Sequence, residues 1–234
     1  LHALARNPEV TCRLACAHPV PNGETNPQIQ FHGENAPALP AARKGKSGRV
    51  LLRRQRDYPA ATMLVPLCQD IEKATSGRVK CNVLPKAPVT APQTFDAVRD
   101  GLIDLSYTVH GYTPGRFTLT DAVEFPFMAD TSEVMSVAYQ RVYERMLAKA
   151  DEHKGVVVLS MMTHGPGQIY HTSKAVGSLA DLKGQKIRVG GGLINDVTKS
   201  LGAVPLLRPA PEVFEILKTG VADGVFFPKE SVGS

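Results

Sequence analysis

Arg188 ends a short apolar run and is followed by three glycines in the stretch DLKGQKIRVGGGLINDV. Alternation along KIRV places its side chain on the face opposite Ile187 and Val189. The glycines at 190–192 let a backbone approach closely, and the helix expected from Leu193 offers free N–H groups and a positive dipole end. A planar guanidinium in such a place can hold a carboxylate through two hydrogen bonds. We therefore expect Arg188 and this helix N-terminus to bind one carboxylate.

One arginine does not by itself give tight binding. Each charge-assisted hydrogen bond contributes about 1.5–3 kcal/mol, so burial of an apolar ligand body must supply the remainder. The alternative for an arginine at a strand end is an ion pair with a surface acid.

Motifs that would indicate an enzyme are absent from the sequence. The pattern Gly190-x-Gly192-x-x-Asn195 lacks the third glycine of a dinucleotide fingerprint, and neither a phosphate-binding loop nor an H-E-x-x-H zinc motif occurs. There is also no G-x-S-x-G elbow. His164, in MMTHGPGQIY, could act as a base, but a histidine beside Gly-Pro-Gly is more typical of a turn or a pocket wall. We expect no catalysis and no cofactor.

Composition and charge are those of an ordinary globular protein, with 43% hydrophobic and 21% charged residues among 234. The net charge is +5, but many basic residues fall in the first 56 positions, in RKGKSGR and RRQR. We interpret these as a solvated segment rather than a nucleic-acid surface. No run of 18 apolar residues predicts a membrane span.

The four cysteines do not predict a metal site. Cys12, Cys16 and His18 form C-x3-C-x-H, which is half of a zinc pattern without a second half. Cys68 falls on an apolar helix stripe and Cys81 on an alternating strand, so we expect both to be small core residues.

The sequence pattern changes near Ala60, from an irregular segment to alternating helical and strand patterns. Residues 1–57 are rich in Pro, Gly, Asn and Ala, and we expect loop or disorder there, with a short strand in VLLRRQR from Val50. Beyond Ala60, helical and strand patterns alternate, which predicts an α/β fold with mostly parallel sheets. Ligands in such sheets lie beyond the carboxyl ends of strands. Arg188, His110 and Phe227 are each near a strand end and are candidates for one cleft.

Six segments occur in order between Ala60 and Ser234, over about three-quarters of the chain: DIEKATSGRVKCNVLP, TFDAVRDGLIDLSY, VEFPFMAD, SLADLKGQKIRV, LGAVPLLRPAPEVFEIL and GVADGVFFP. Together they resemble the dicarboxylate-binding (DctP-like) solute-binding proteins of tripartite ATP-independent periplasmic (TRAP) transporters. The resemblance implies a two-lobed periplasmic binding protein-like fold and a periplasmic location. It also implies capture of an organic acid for TRAP membrane permease subunits, without catalysis.

The resemblance also implies an incomplete fold, because residues 1–57 do not match the family and the family continues beyond the position of Ser234. We divide the chain into an atypical segment at 1–57, a partial first lobe at 58–125 and a second lobe with crossover segments at 126–234. One alternative is a truncated fragment of such a protein that binds nothing. An α/β enzyme is the third possibility.

In the family, the arginine of the K-[IL]-R-V strand binds the ligand carboxylate, which implies that role for Arg188. Many relatives carry a second arginine where this chain has Gln168, an asparagine where it has Phe227, and an aromatic residue where it has Ala210. These departures predict a monocarboxylate with an apolar or aromatic body. The further candidate ligand-binding residues are Gly191, Asn195, His110 and His164, with Tyr112 and Phe127 as wall residues.

Overall fold

The computed structural model describes residues 2–5, 48–50, 65–84 and 87–232, so the Cys12, Cys16 and His18 pattern lies outside the described residues. The strands are β1 (His2–Ala5), β2 (Gly48–Val50), β3 (Cys81–Val83), β4 (Leu105–Thr108), β5 (Val157–Met161), β6 (Gly167–His171), β7 (Lys186–Val189), β8 (Val204–Leu207) and β9 (Gly224–Pro228). The α-helices are α1 (Val65–Ala74), α2 (Thr94–Arg99), α3 (Ser132–Arg145), α4 (Leu193–Ser200) and α5 (Val213–Lys218).

The strands form two sheets, each at the centre of one lobe. The first sheet has the order β3-β2-β4-β1-β5 and the second the order β6-β9-β7-β8. Strand β2 is parallel to β3 and β4, and β7 is parallel to β8 and β9, whereas β1 and β6 pair antiparallel with their neighbours. The predicted α/β class is confirmed, and each sheet is mixed rather than purely parallel.

Two short strands come from the first 57 residues, so the expectation of loop or disorder is wrong for residues 2–5 and 48–50. Strand β1 lies between β4 and β5, and β2 lies between β3 and β4. Within VLLRRQR, Val50 belongs to β2, and the rest lies outside the described residues. Strand β5 also belongs to the first sheet. The sheets therefore divide between Met161 and Gly167, not at the expected boundary after residue 125.

Local sequence signals place several elements where they were expected. Helix α3 begins after Thr131, whose side chain accepts a hydrogen bond from the backbone N–H of Val134 at 3.3 Å. Helix α4 ends before Gly202, which has a φ of +80°.

Each lobe has its own apolar core. The first is built around Phe95, Val98, Ile103 and Phe117, and the second around Leu182, Ile187 and Ala203. Ile187 and Val189 are fully buried. Because side chains alternate along a strand, the Arg188 side chain between them must leave the opposite face of the second sheet.

A buried polar cluster lies inside the first lobe and contains His110, which we expected in the ligand cleft. The Thr120 hydroxyl donates to the carbonyl of Phe117 and lies 2.8 Å from Nδ1 of His110, so it accepts from that N–H. The other nitrogen of His110 then accepts from Nε2–H of His153, 2.8 Å away. Both rings also stack on Phe117. These contacts turn the ring of His110 toward the core.

A disulfide joins Cys68 of α1 to Cys81 of β3. The expectation that both are simple core cysteines is therefore wrong, although Cys68 is buried. The sequence placed each cysteine on the correct element, but their pairing depends on how α1 packs against β3.

Among the described residues, no group of three or more potential metal ligands occurs, and none of the helices is long and apolar enough to span a bilayer.

Loss of the disulfide should lower the stability of the first lobe. Replacing both cysteines by serine removes a cross-link over a separation of 13 residues, and we expect the free energy of unfolding to fall by about 3 kcal/mol. Denaturant titration with and without a thiol reductant measures the change. Reductant should destabilise the wild type and leave the Cys68→Ser, Cys81→Ser variant unchanged; equal curves for the wild type would contradict the cross-link.

The histidine pair should make the protein sensitive to acid. Burial lowers the pKa of His153 from 6.5 to about 4. As the pH falls, the imidazole of the unfolded chain therefore binds a proton before that of the folded protein does. Stability should be greatest above pH 6.5 and should fall as the pH drops toward 4, by up to about 3 kcal/mol. The His153→Phe variant should lose stability at neutral pH and show a shallower pH dependence than the wild type. Urea titrations at several pH values distinguish these outcomes.

Candidate ligand-binding site

Arg188 lies at the carboxyl end of β7, and only 4% of it is exposed. Its Nε donates to the backbone oxygen of Arg208 at 2.8 Å, and its Nη1 reaches the oxygen of Phe226 at 3.5 Å. Both oxygens come from the neighbouring strands of the second lobe or their ends. They fix the plane of the guanidinium at the edge where the sheet meets the first lobe.

The charge of Arg188 has no carboxylate partner within the described part of the chain. The ion pairs found there use other lysines and arginines. Burial lowers the pKa of Arg188, and this effect is opposed by the hydroxyl of Tyr112 and by Glu212. An arginine nevertheless stays protonated at neutral pH. A buried cation without an anion is unfavourable, so this position suits an anionic ligand.

The sheet register brings Phe227 and Gln168 to the same face as Arg188. Arg188 pairs with Val225, two residues before Phe227, and Phe227 pairs with Gln168 across β9 and β6. The guanidinium carbon lies 4.9 Å from the centre of the Phe227 ring. Gln168 is exposed, so a neutral amide flanks the open side of the ring.

The first lobe reaches the arginine through Tyr112. Its hydroxyl accepts a hydrogen bond from the backbone N–H of Ala210 at 3.0 Å and lies close enough to Arg188 to interact with its charge. Tyr112 lies in the 3-10 turn His110–Tyr112 that follows β4. The structure thus brings together four expected residues, namely Arg188, Phe227, Gln168 and Ala210, and the wall residue Tyr112.

Gly191 lies at a contact between the backbones of the two lobes. A Cβ built on Gly191 would overlap the carbonyl oxygen of Gly111, and one built on Gly111 would lie 2.7 Å from the carbonyl carbon of Gly191. Gly191 also has a φ of +95°, which favours glycine. Both requirements explain why glycine is found at this position.

The N-terminus of α4 is occupied by the protein itself. The Glu124 side chain accepts a hydrogen bond from the backbone N–H of Leu193 at 2.8 Å and is also bonded by that of Ile194. The expectation that Arg188 and this helix N-terminus hold one carboxylate is therefore wrong. Glu124 comes from the first lobe, 69 residues away in sequence.

A cavity of about 550 Å³ lies between the lobes beside α4. Its lining includes Thr118, Asp121 and Phe125 of the first lobe and Gly191, Asn195 and Asp196 of the second. Arg188 does not belong to this lining. Gly191 and Asn195 thus border a different space from the one that Arg188 faces, and the Nδ2 of Asn195 lies 3.4 Å from the carboxylate of Asp196.

The remaining expected residues have separate environments. His164 is exposed, its Nδ1 donates to the oxygen of Gly165 at 2.7 Å, and it is close enough to interact electrostatically with Arg188. The ring of His110 belongs to the interior cluster of the first lobe, so the structure does not bring it to Arg188. Phe127 is fully exposed, with a φ of +65°.

Glu124 and Gly111 were not expected at the site from the sequence. Glu124 was present in the segment VEFPFMAD, but an isolated acid there carries no periodic or spacing signal. Gly111 follows His110 and precedes Tyr112, and a single glycine after a strand is common in turns. The contacts of both residues depend on the relative position of the lobes.

Comparisons with known proteins agree with this architecture. Residues 54–232 match the profile of the DctP family, described as bacterial extracellular solute-binding protein, family 7. The outer membrane transporter protein TsaT of Comamonas testosteroni is 29% identical over 189 residues, which are 80% of this chain and 56% of that protein.

Two solved structures are similar to the fold. A TRAP periplasmic solute-binding protein from Bordetella bronchiseptica, with bound (R)- and (S)-mandelate, is 48% identical with a TM-score of 0.77, over 80% of this chain and 60% of that one. A marine metagenome TRAP protein specific for aromatic acids, in complex with 3-hydroxybenzoate, is 33% identical with a TM-score of 0.75, over 80% and 58%.

The chain spans somewhat more than half the length of these relatives. The family match nevertheless covers most of the chain, including three of the five strands of the first sheet and all four strands of the second, with Arg188 and the residues around it. The chain therefore belongs to the bacterial extracellular solute-binding proteins of family 7, the DctP family.

Proposed function

We propose that this protein captures an organic monocarboxylate with an aromatic body, outside the cytoplasm, for the membrane permease subunits of a TRAP transporter. The observation that carries the proposal is the buried Arg188 guanidinium, which has no carboxylate partner in the described residues and lies against the Phe227 ring. Enzymatic activity is not part of the proposal.

The carboxylate would bind to Arg188. Its guanidinium has five N–H donors, and within the described residues these donate to two backbone oxygens, with the Tyr112 hydroxyl nearby. The Nε–H donates to the backbone oxygen of Arg208. This leaves donors on the terminal nitrogens for a ligand oxygen, and the low polarity of a buried site strengthens such bonds.

The ligand body would lie against Phe227. Gln168, beside this ring, adds no positive charge for a second carboxylate, and the small Ala210 side chain leaves space near the Tyr112 hydroxyl. Aromatic rings pack favourably edge to face or offset. The bound mandelate and 3-hydroxybenzoate of the two similar structures also support an aromatic acid.

The family match supports the proposed location and permease partner. The Cys68–Cys81 disulfide supports a periplasmic location, because disulfides persist in oxidising compartments. Contacts between the lobes at Gly111, Tyr112 and Glu124 support a closed form that a permease could recognise.

Arg188→Lys should weaken the binding of aromatic acids at least tenfold, because an ammonium cannot form the paired hydrogen bonds of a guanidinium. Calorimetric titration with mandelate, benzoate and 3-hydroxybenzoate measures the affinity, with the neutral amides and a dicarboxylate as comparison ligands. Arg208→Lys is the matched control, since its side chain is about half exposed and pairs with Glu212; it should bind as the wild type does.

Full affinity in Arg188→Lys would contradict the role of the guanidinium. Thermal melts of the same samples test the alternative that the chain is a non-binding fragment. A cooperative melt that shifts upward with an acid, but not with its amide, supports the proposed function. A melt without cooperativity, or unchanged by every acid, would overturn it.

Phe227→Leu should reduce the affinity for aromatic acids about fivefold and change that for aliphatic monocarboxylates less, because it removes ring packing of about 1 kcal/mol. Phe214→Leu serves as the control, since Phe214 is an exposed ring on α5. Equal losses for aromatic and aliphatic acids would mean that Phe227 supports the arginine without contacting the ligand. The same calorimetric titrations give both values.

A further inference from the structure

Glu124 is the acidic residue with which the first lobe contacts the start of α4. It ends the 3-10 turn Thr120–Glu124, and its Oε2 accepts the backbone N–H of Leu193 at 2.8 Å. Carboxylates at such positions stabilise a helix by satisfying free N–H groups and opposing the dipole. This contact joins residues of different lobes, so it exists only while the lobes are together.

Gly192 makes this contact possible. It precedes Leu193 with a φ of +70°, and a Cβ built on it would overlap the Glu124 carboxylate. The adjacent Gly191 meets Gly111, and the Tyr112 hydroxyl binds Ala210. Three contacts between the lobes thus surround the turn that directly follows Arg188.

The Glu124 carboxylate is half-buried and lies near other acidic groups. None of the ion pairs within the described residues includes it. Asp121 lies on the same turn, Glu152 is near Asp121, and the Tyr139 phenol of α3 faces the group. Asp196, in the first turn of α4, is paired with Lys199. The surroundings therefore favour a neutral side chain.

We propose that Glu124 is a positioning residue for ligand capture: it joins the lobes at the start of α4, and the joined state holds a proton that the separated state releases. Closing the protein over its ligand thus consumes a proton. The predicted effect on ligand binding rests on the proposed function, whereas the contact between Glu124 and α4 is independent of it.

The direction of the pH effect follows from the two environments. Burial and then the charge of Asp121 raise the pKa of Glu124 to about 7 in the joined state, against the opposing effect of the two backbone N–H groups. With the lobes apart, water restores the ordinary value of 4.5. Because the joined state has the higher pKa, closure is favoured at lower pH and weakens as the pH rises to 7.

Mandelate binding should therefore depend on pH through Glu124. Between about pH 5.5 and about pH 8, the affinity of the wild type should fall on the order of tenfold, although the ligand is ionised throughout. Glu124→Gln resembles the protonated acid, so it should bind more tightly than the wild type at the higher pH and show little pH dependence. Glu124→Ala should bind more weakly at all pH values. Glu133→Gln, an exposed residue in the first turn of α3, is the matched control and should keep the wild-type profile.

Small-angle X-ray scattering on the same variants without ligand measures lobe closure independently. The wild type should become more compact as the pH falls over this range, and Glu124→Gln should be compact throughout. Equal pH profiles for the wild type and Glu124→Gln in both measurements would overturn the inference while leaving acid binding intact. If the acids do not bind but compaction still requires Glu124, the proposed function fails and the inference stands. If there is neither binding nor a Glu124-dependent compaction, both are wrong.

Discussion

The positive charge of Arg188 inside the second lobe is the constraint on which the other features of the site depend. A buried guanidinium must be held by hydrogen bonds, or its desolvation would destabilise the fold. The backbone oxygens of Arg208 and Phe226 supply part of this support, and the Phe227 ring supplies an electron-rich face. The parallel arrangement of β7 with β8 and β9 makes this support available, because it places their carboxyl ends side by side.

The turn at residues 190–192 lies between the region around Arg188 and the residues that contact the first lobe. On one side, Arg188, Phe227 and Tyr112 form the region suited to an anion. On the other side, Gly191, Gly192 and the start of α4 contact the first lobe through backbone groups and Glu124. Since the same short turn connects both, a shift of the lobes moves the surroundings of the arginine. Under the proposed function, ligand binding at Arg188 would therefore be coupled to the contact between the lobes through this short turn.

The sequence predicted features that depend on local order and missed those that depend on packing between distant segments. Alternation in KIRV correctly placed Arg188 opposite Ile187 and Val189, and Thr131 was recognised as a helix cap. The sequence did not reveal that Glu124 occupies the start of α4, since no local pattern connects residues so far apart. The sequence also could not show that His110 turns into the core, because the residues that bind it come from three other places in the chain. The same reason applies to strand β1, whose partners lie 100 or more residues away.

The meeting of Gly111 and Gly191 has a geometric consequence for selectivity. Two backbones in direct contact cannot be pressed closer together, so this contact limits how near the lobes approach each other at this point. A side chain at such a point could change rotamer and give way, whereas a peptide group cannot. Under the proposed function, this contact would also limit ligand size: a molecule too thick for the space at that closest approach would keep the lobes apart, however well its carboxylate fitted Arg188.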